Sequence, residues 1–149
     1  MCYHMYMNDK ESIYTSGAIE FTEDAYSWRK DVLKGLHEHY RVIIPDLIPC
    51  PFQKSDMEYP GWVKKHFIIP DMNDVATCDH IFVYLDHIYS SGTYGELSLA
   101  SWLNKNIVCY LDNEIKIETL PIWVIGCLNN ATFVNSIDDG IEHYKSLIR

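Results

Sequence analysis

The sequence is poor in basic residues and has no apolar run long enough to cross a membrane. Its 149 residues include 12 Lys and Arg against 21 Asp and Glu, which gives a net charge of −9. Binding a nucleic-acid polymer requires a basic face that neutralises phosphates, so this charge argues against such a partner. A membrane-spanning helix needs about 20 apolar residues, and the first residues lack the basic segment of a signal peptide. We therefore expect neither a nucleic-acid polymer nor a membrane as partner.

The five cysteines are scattered along the chain, and no two of them form a CxxC pair. This spacing predicts no zinc ribbon and no dithiol redox site, and it favours reduced thiols in the cytoplasm. The first predicted loop, residues 17–22, also lacks the run of hydroxyl and glycine residues that would wrap a flavin phosphate. The sequence therefore predicts a cytoplasmic protein with no cofactor and no metal site.

Apolar residues make up 48% of the chain, which is enough for the core of one domain. We expect a single domain over residues 1–149, with residues 1–11 as a tail or as an extension at a sheet edge. Apolar runs and helical periodicities alternate five times along the chain. The predicted strands are 12–17, 41–44, 81–85, 107–111 and 131–134; the predicted helices are 24–39, 70–78, 97–103, a short one after Pro121, and 137–148. This alternation predicts an α/β fold with a mainly parallel five-stranded sheet covered on both faces.

Residues 46–70 are rich in proline and show no sustained periodicity, so we expect at most a short helix at 61–66. An irregular stretch of this length inside a compact domain usually has a function, such as a lid or a specificity loop. Ligands of parallel sheets bind beyond the carboxyl ends of the strands. The stretch is therefore expected to meet the loops 17–22 and 86–96 at that edge.

The segment SSGTYGEL at 90–97 follows a predicted buried strand and precedes a predicted helix. Strand, Ser/Gly loop and helix together direct backbone N–H groups at a ligand. In this interpretation Glu96 lies in the first helical turn, where the helix dipole stabilises its charge. Two compatible roles for Glu96 stay open. Ser91 or Thr93 could cap the helix while Glu96 completes a capping box with Thr93, or Glu96 could be a carboxylate nucleophile.

Several motifs resemble the nucleoside 2-deoxyribosyltransferase superfamily, which includes related deoxynucleoside 5′-monophosphate N-glycosidases. The run SGTYGELSLA at 91–100 matches the loop that carries the family's catalytic Glu, and IYTSGA at 13–18 matches a first strand ending with a Tyr. Asp71 and Asp79 match two family Asp residues eight positions apart, and Trp28-Arg29 matches a pair in the first helix. The resemblance extends from Ser12 to Leu147 and implies a flavodoxin-like, Rossmann-like three-layer sandwich.

The resemblance also implies roles for individual residues. Glu96 is similar to the nucleophile that attacks the anomeric carbon, Asp71 to the group that handles the proton at the nucleobase, and Tyr14 to the phenol that orients Glu96. The plainer alternatives are a buried strand-end tyrosine for Tyr14 and a helix N-terminal charge for Asp71. The substrate-binding residues expected on this basis are Gly17, Ser90, Ser91, Gly92, Thr93 and Arg29.

Two departures from the family pattern concern the substrate. Ser90 occupies the position where the transferases carry an Asp that grips the sugar hydroxyl, and the nucleotide hydrolases have a Ser there that contacts a phosphate. Trp123 aligns with an Asn that reaches the neighbouring subunit's sugar in the transferases. The negative charge of Glu20 in the first loop would repel a phosphate. The positive charge of Arg29 would compensate for it if the side chain reaches the cleft.

The resemblance predicts an enzyme that cleaves the N-glycosidic bond of a (deoxy)nucleoside or its 5′-monophosphate through a glycosyl-Glu96 intermediate. The product is then formed by hydrolysis or by transfer to another base. The family also implies a homodimer or larger homo-oligomer, with Trp102, Trp123 and the 46–70 stretch as candidates for the interface or the base pocket. The alternative is a non-catalytic protein that senses or sequesters a nucleotide.

Overall fold

The computed structural model describes residues 10–149 with the exception of residue 88, so most of the expected N-terminal tail lies outside the described residues. The strands are β1 (Ser12–Ser16), β2 (Arg41–Ile43), β3 (His80–Leu85), β4 (Asn106–Leu111) and β5 (Thr132–Val134). The α-helices are α1 (Ser27–Leu36), α2 (Tyr59–Val63), α3 (Ile69–Thr77), α4 (Ser91–Trp102), α5 (Ile122–Cys127) and α6 (Ile137–Ser146). A π-helical segment (Lys64–Ile68) joins α2 to α3, and a 3₁₀ turn (Ile117–Thr119) precedes α5.

The five strands form one sheet in the order β2-β1-β3-β4-β5, and every neighbouring pair is parallel. The predicted fold class, a five-stranded parallel sheet in an α/β sandwich, is therefore confirmed. This order is that of the flavodoxin-like folds, whose ligands bind where the strand order reverses, between β1 and β3. The candidate site is expected at the carboxyl ends of those two strands.

Two apolar cores cover the two faces of the sheet. Side chains of a strand alternate between faces, so Ile81, Val83 and Leu85 of β3 contribute to one core while Phe82 contributes to the other. The first core is completed by α3, α4 and α5, and the second by α1 and α6. The molecule thus has three layers. No helix among the described residues combines the length and the hydrophobicity needed to span a membrane.

The stretch 46–70 is more regular than the sequence predicts. The chain is helical without a break from Tyr59 to Thr77, so Pro70, the second residue of α3, follows a helical segment rather than a loop. Proline lacks the N–H that an α-helix requires within its interior but is tolerated in the first turn. The π-helical turn, which has a different hydrogen-bond pattern, ends at Ile68, just before α3. The irregular segment is consequently shorter than predicted and ends before Tyr59.

Candidate active site

Glu96 lies on α4 beside the carboxyl end of β1, at the point where the strand order reverses. Its side chain is 7% exposed although it ends in a carboxylate. The Tyr14 hydroxyl donates a short hydrogen bond to Oε2, and the Ser16 hydroxyl donates to Oε1 over 2.7 Å. Both oxygens of the carboxylate are therefore held, which fixes the plane in which it faces a ligand.

Ser16 is a contact that sequence reasoning missed. A serine at the end of a strand carries no signal by itself. The signal that could have found it is the alternation of side chains along a strand, which places Ser16 on the same face of β1 as Tyr14. The hydroxyls of the two residues converge on one carboxylate for this reason.

The environment of Glu96 favours its protonated form more than water does. Burial raises the pKa of Glu96 to about 7, against the hydrogen bonds from Tyr14 and Ser16, which lower it. The charge of Asp71 raises this pKa and that of Arg29 lowers it. Burial and the neighbouring Glu96 raise the pKa of Tyr14 well above its ordinary value, so Tyr14 remains a hydrogen-bond donor throughout the neutral range.

Glu96 does not take part in capping α4, and the predicted capping box is wrong. The cap is Ser90, whose extended backbone precedes the helix and whose Oγ accepts a hydrogen bond from Thr93 N at 3.3 Å. The hydroxyls of Ser90 and Thr93 also lie 2.8 Å apart. Because the helix begins at Ser91, Glu96 lies in its second turn and no acidic residue occupies the first. The Thr-x-x-Glu spacing misleads here because residues three apart are also neighbours inside a helix.

Asp71 lies on α3 and is half-buried. Burial and the charges of Asp74 and Asp46 raise the pKa of Asp71 to about 6, while Arg29 lowers it. Its own charge acts on both Glu96 and Tyr14. Two carboxyl groups in one site, one of whose charges acts on the other, can take separate roles as nucleophile and proton donor.

Arg29 is fully buried beneath the first loop rather than exposed in the cleft. Its guanidinium donates hydrogen bonds to three backbone carbonyls, those of Gly17 at 2.9 Å, Thr15 at 3.4 Å and Ala25. The guanidinium carbon also lies 4.6 Å from the Trp28 ring centroid. The predicted role of Arg29 as a substrate ligand stays a prediction. Its observed contacts organise the loop and supply a fixed positive charge near Glu96.

Gly17 is packed too closely for a side chain. A Cβ at this position would lie 3.0 Å from the Trp28 ring and 3.2 Å from the backbone oxygen of Tyr84. The glycine therefore lets the first loop lie against the ends of α1 and β3. Its predicted contact with a substrate stays a prediction.

The first turn of α4 is open to solvent at Ser91 and Gly92, whereas Thr93 is buried. The first N–H groups of a helix have no partner within it and attract anions. Of the four predicted ligands in this segment, Thr93 is engaged with Ser90, and Ser91 and Gly92 are exposed.

The loop 17–22 and the stretch 46–70, which the sequence predicts to meet, contact each other through an exposed ion pair. Lys54 Nζ lies 3.1 Å from Glu20 Oε2, and the same ammonium lies 5.6 Å from the Phe21 ring centroid. Glu20, the residue expected to oppose a phosphate, is thus partly neutralised by Lys54.

Trp102 and Trp123 are not core residues, since their exposed fractions are 82% and 70%. The Trp123 indole donates to Ser98 Oγ over 2.7 Å, next to an open groove of about 320 Å³ between α4 and α5. The groove is lined by Ser101, Ile122, Trp123, Gly126 and Cys127. Within residues 10–149 apart from residue 88, no group of three or more His, Cys, Asp or Glu side chains could hold a metal ion.

Solved structures of nucleoside-processing enzymes share this fold. A CMP N-glycosidase of Clostridium botulinum superposes with a TM-score of 0.58 at 16% identity, over 91% of this chain and 99% of that one. A 2-deoxyribosyltransferase of Bacillus psychrosaccharolyticus superposes with a TM-score of 0.62 at 17% identity, over 87% of this chain and 90% of that one. A conserved protein of Enterococcus faecalis V583 superposes with a TM-score of 0.67 at 17% identity, over 93% of this chain and 99% of that one.

The likeness to these proteins is one of fold. The structures cover nearly the same span of the chain as the motif resemblance. No family model and no curated protein matches the sequence.

Proposed function

We propose that this protein cleaves the N-glycosidic bond of a nucleoside or nucleoside 5′-monophosphate, with Glu96 as the nucleophile. The observation that carries the proposal is the buried carboxylate of Glu96, held by Tyr14 and Ser16 and influenced by the charge of Asp71. The fold shared with an N-glycosidase and a deoxyribosyltransferase supports it. The alternative in which Glu96 only caps a helix loses its structural basis because Ser90 is the cap.

In the first step the ionised Glu96 attacks the anomeric carbon of the sugar. An ester bond forms between a carboxylate oxygen and this carbon, and the bond from the carbon to the base nitrogen breaks. The electron pair of the broken bond goes to the base, which takes a proton from Asp71. Tyr14 and Ser16 hold the attacking carboxylate and lower its pKa, which offsets part of the effect of burial.

In the second step an acceptor attacks the same carbon and releases Glu96 as a carboxylate. The acceptor is water in hydrolysis or the nitrogen of a second base in transfer, and the ionised Asp71 takes up its proton. Two displacements at one carbon retain the configuration of the sugar.

The 5′ end of the substrate is assigned to the first turn of α4. Ser90 provides no negative charge there, and the accessible N–H groups of Ser91 and Gly92 are suited to a phosphate. A 5′-monophosphate is therefore the preferred substrate in this proposal. The protein is placed in the cytoplasm, where its thiols remain reduced.

We also assign a homo-oligomer to this protein, with the exposed side chains of Trp102, Ile122 and Trp123 in the contact between copies. Ile122 and Trp123 line one open groove, and contiguous apolar surface of this kind usually marks an interaction site. Sedimentation equilibrium of the wild type and of Trp102→Ser tests this assignment. A monomer at micromolar concentration would contradict it.

The proposed reaction is tested by incubating the protein with deoxynucleosides and their 5′-monophosphates and measuring the free base. Wild type is expected to release base from at least one of them, and the denatured protein is expected to carry one sugar on Glu96 by peptide mass. Glu96→Gln should abolish both signals, while Glu142→Gln, which changes an exposed Glu of α6, should not. Turnover by Glu96→Gln close to that of wild type would rule out the covalent mechanism.

A further inference from the structure

Arg29 is a buried cation without an acidic partner. Its side chain is fully buried, and within the described part of the chain no carboxylate forms an ion pair with it. Burying a charge is costly unless the charge is paired and hydrogen-bonded. A guanidinium in this place therefore needs an explanation beyond the filling of space beneath the first loop.

The guanidinium is held by three backbone carbonyls. Nε donates a long hydrogen bond to Thr15 O at 3.4 Å, Nη2 donates to Gly17 O at 2.9 Å, and Nη1 donates to Ala25 O. Thr15 and Gly17 flank Ser16 in the chain, and Ala25 lies just before α1. Only Arg presents donors in a rigid planar fork, so its side chain can tie both neighbours of Ser16 to the start of α1 at once.

Ser16 connects these bonds to the candidate nucleophile. The residue is fully buried, and its hydroxyl donates to Glu96 Oε1 over 2.7 Å. A serine side chain has one torsion, which prefers three staggered positions, so the direction of its hydroxyl follows from the direction of its backbone. A change in the carbonyl bonds on both sides of Ser16 would therefore move this donor relative to Glu96.

Arg29 and Glu96 come from helices on opposite faces of the sheet. Helix α1 contributes to one apolar core and α4 to the other. The side-chain hydrogen bonds of Glu96 come from Tyr14 and Ser16, whereas those of Arg29 go to carbonyls. The end of β1 is thus the structural connection between the guanidinium and the carboxylate. Burial raises the pKa of Glu96, and the charge of Arg29 lowers it from across this strand end.

We propose that Arg29 is a positioning residue, which holds the Ser16 hydroxyl on Glu96 Oε1 by binding the carbonyls on both sides of Ser16. In this role Arg29 does not contact the substrate. The inference rests on the proposed function for the reaction that Glu96 performs. It assigns to Arg29 a role that neither the motifs nor the fold comparison supplies.

A double-mutant cycle on the ionisation of Glu96 tests the connection without requiring turnover. The carboxyl carbon of Glu96 is titrated by NMR in wild type, Ser16→Ala, Arg29→Lys and the double variant, and its signal is identified by its loss in Glu96→Gln. Ser16→Ala should raise the pKa of Glu96 by about 1, because one of the two hydrogen bonds that lower it is lost. Arg29→Lys keeps the charge but not the fork, so it should cause a similar rise.

The double variant is the decisive protein of the cycle. If Arg29 acts through Ser16, adding Arg29→Lys to Ser16→Ala should leave the pKa of Glu96 nearly where Ser16→Ala alone puts it. The other groups that act on this pKa, Tyr14 of β1 and Asp71 of α3, are the same in all four proteins. Arg41→Lys, the same change at an exposed Arg of β2, should leave the titration unchanged.

Steady-state assays distinguish a positioning residue from a substrate ligand. A misplaced nucleophile lowers the rate of the chemical step, so Ser16→Ala and Arg29→Lys should each lower kcat about 10- to 100-fold. KM should change less, and the double variant should be no slower than the slower single variant. A direct contact of Arg29 with a phosphate would instead raise KM for the 5′-monophosphate.

Circular dichroism and thermal melting establish that each variant is folded at the temperature of the measurements. If Arg29→Lys does not fold, Arg29→Gln takes its place, because it buries no charge and its amide can still donate to one carbonyl. Its loss of charge raises the pKa of Glu96 in any background. The rise must nevertheless be smaller in the Ser16→Ala background than in wild type.

Three results would overturn the inference. These are an unchanged pKa of Glu96 in folded Arg29→Lys, an equal effect of the Arg29 substitution in both backgrounds, or a rise in KM without a loss in kcat. If wild type releases no base while the titrations follow the expected pattern, the proposed reaction fails and the positioning of Glu96 through Ser16 is retained. If base is released but the effects on the pKa are additive, the inference fails alone.

Discussion

Asp71 is half-buried and faced by the charge of Asp74 three residues further along α3, and together these raise the pKa of Asp71 to about 6. The proposed first step needs this carboxyl protonated and Glu96, whose pKa burial raises to about 7, ionised. Both conditions are met best between these two values. Because the two groups influence each other, the apparent pKa values of the profile belong to the pair.

The dependence of kcat/KM on pH should therefore be bell-shaped, with its maximum between about 6 and about 7. Replacing Asp74 by Asn removes a negative charge and lowers the pKa of Asp71. Because the pKa of Asp71 is the lower of the two, the acidic limb of the bell should move to lower pH, and the activity at the maximum should fall because fewer molecules then combine a protonated Asp71 with an ionised Glu96. Asp138→Asn on α6 is the control, since it removes the same charge far from the candidate site in the sequence. An acidic limb that stays in place would show that Asp71 is not the acid that limits the reaction.

Asp71→Asn should reduce base release most for those bases that depart only when protonated. The amide has the shape of the carboxyl but cannot transfer its proton to the leaving base. Rates are measured for each base with wild type and variant at the same pH, together with a substrate whose leaving group is already acidic. If all bases lose the same factor, Asp71 has another role.

Tyr14→Phe should slow base release without abolishing it. The variant loses one hydrogen bond to a carboxylate, which corresponds to about 1.5–3 kcal/mol. This bond lowers the pKa of Glu96, which is the higher of the two pKa values, so its loss should also shift the alkaline limb of the pH profile to higher pH. Tyr40→Phe is the matched control, since its hydroxyl donates to the backbone oxygen of Tyr144 in the core at 2.8 Å. A rate loss with an unmoved alkaline limb would contradict the role of Tyr14 in holding the ionised Glu96.

Burial of Glu96 should cost stability, and the cost should depend on pH. Burial raises the pKa of Glu96 from its ordinary value of 4.5 to about 7 in the folded protein. The folded state therefore binds this proton more tightly than the unfolded chain does. Its contribution is fully present below pH 4.5 and is lost as the pH rises through about 7.

Glu96→Gln removes this titration and should stabilise the protein at pH 8.5 by up to about 3 kcal/mol. Little gain is expected at pH 4.5, where the folded wild-type protein carries the proton and the unfolded chain is half protonated. The measurement is the melting temperature of both proteins at the two pH values, with Glu142→Gln for comparison. The same difference at both pH values would be inconsistent with a raised pKa.

The sequence predicted the sheet well because each strand is an apolar run between turn residues, a pattern that the parallel sheet requires on both faces. The pairing of Tyr14 with Glu96 could be anticipated only from the resemblance, because 82 residues separate them in the chain. The burial of Arg29 could not be anticipated, because charged residues are rarely buried and the partners of its guanidinium are backbone carbonyls.

Other features were hidden because they depend on local geometry. Pro70 has the signature of a helix start, and nothing in its neighbours announces the π-helical turn that lets the helix continue.

Ser90 is the residue on which the proposed preference for a 5′-monophosphate depends. Asp is as good a helix cap as Ser, so Ser90→Asp should keep the fold and α4 intact. Its carboxylate would repel a phosphate at the first turn and could accept a hydrogen bond from a free sugar hydroxyl. Since the net charge of −9 opposes anions at long range, the phosphate depends on such local contacts.

For wild type, kcat/KM should therefore be higher with a deoxynucleoside 5′-monophosphate than with the free deoxynucleoside. For Ser90→Asp the order of the two substrates should be reversed. The control is Ser90→Asn, because an Asn side chain has nearly the shape of Asp without its charge and also caps helices. This variant should keep the substrate preference of wild type. All three proteins are compared with one base at one pH. A wild type that prefers the free nucleoside would show that Ser90 is only a helix cap, and the proposed reaction would then be closer to that of a nucleoside transferase.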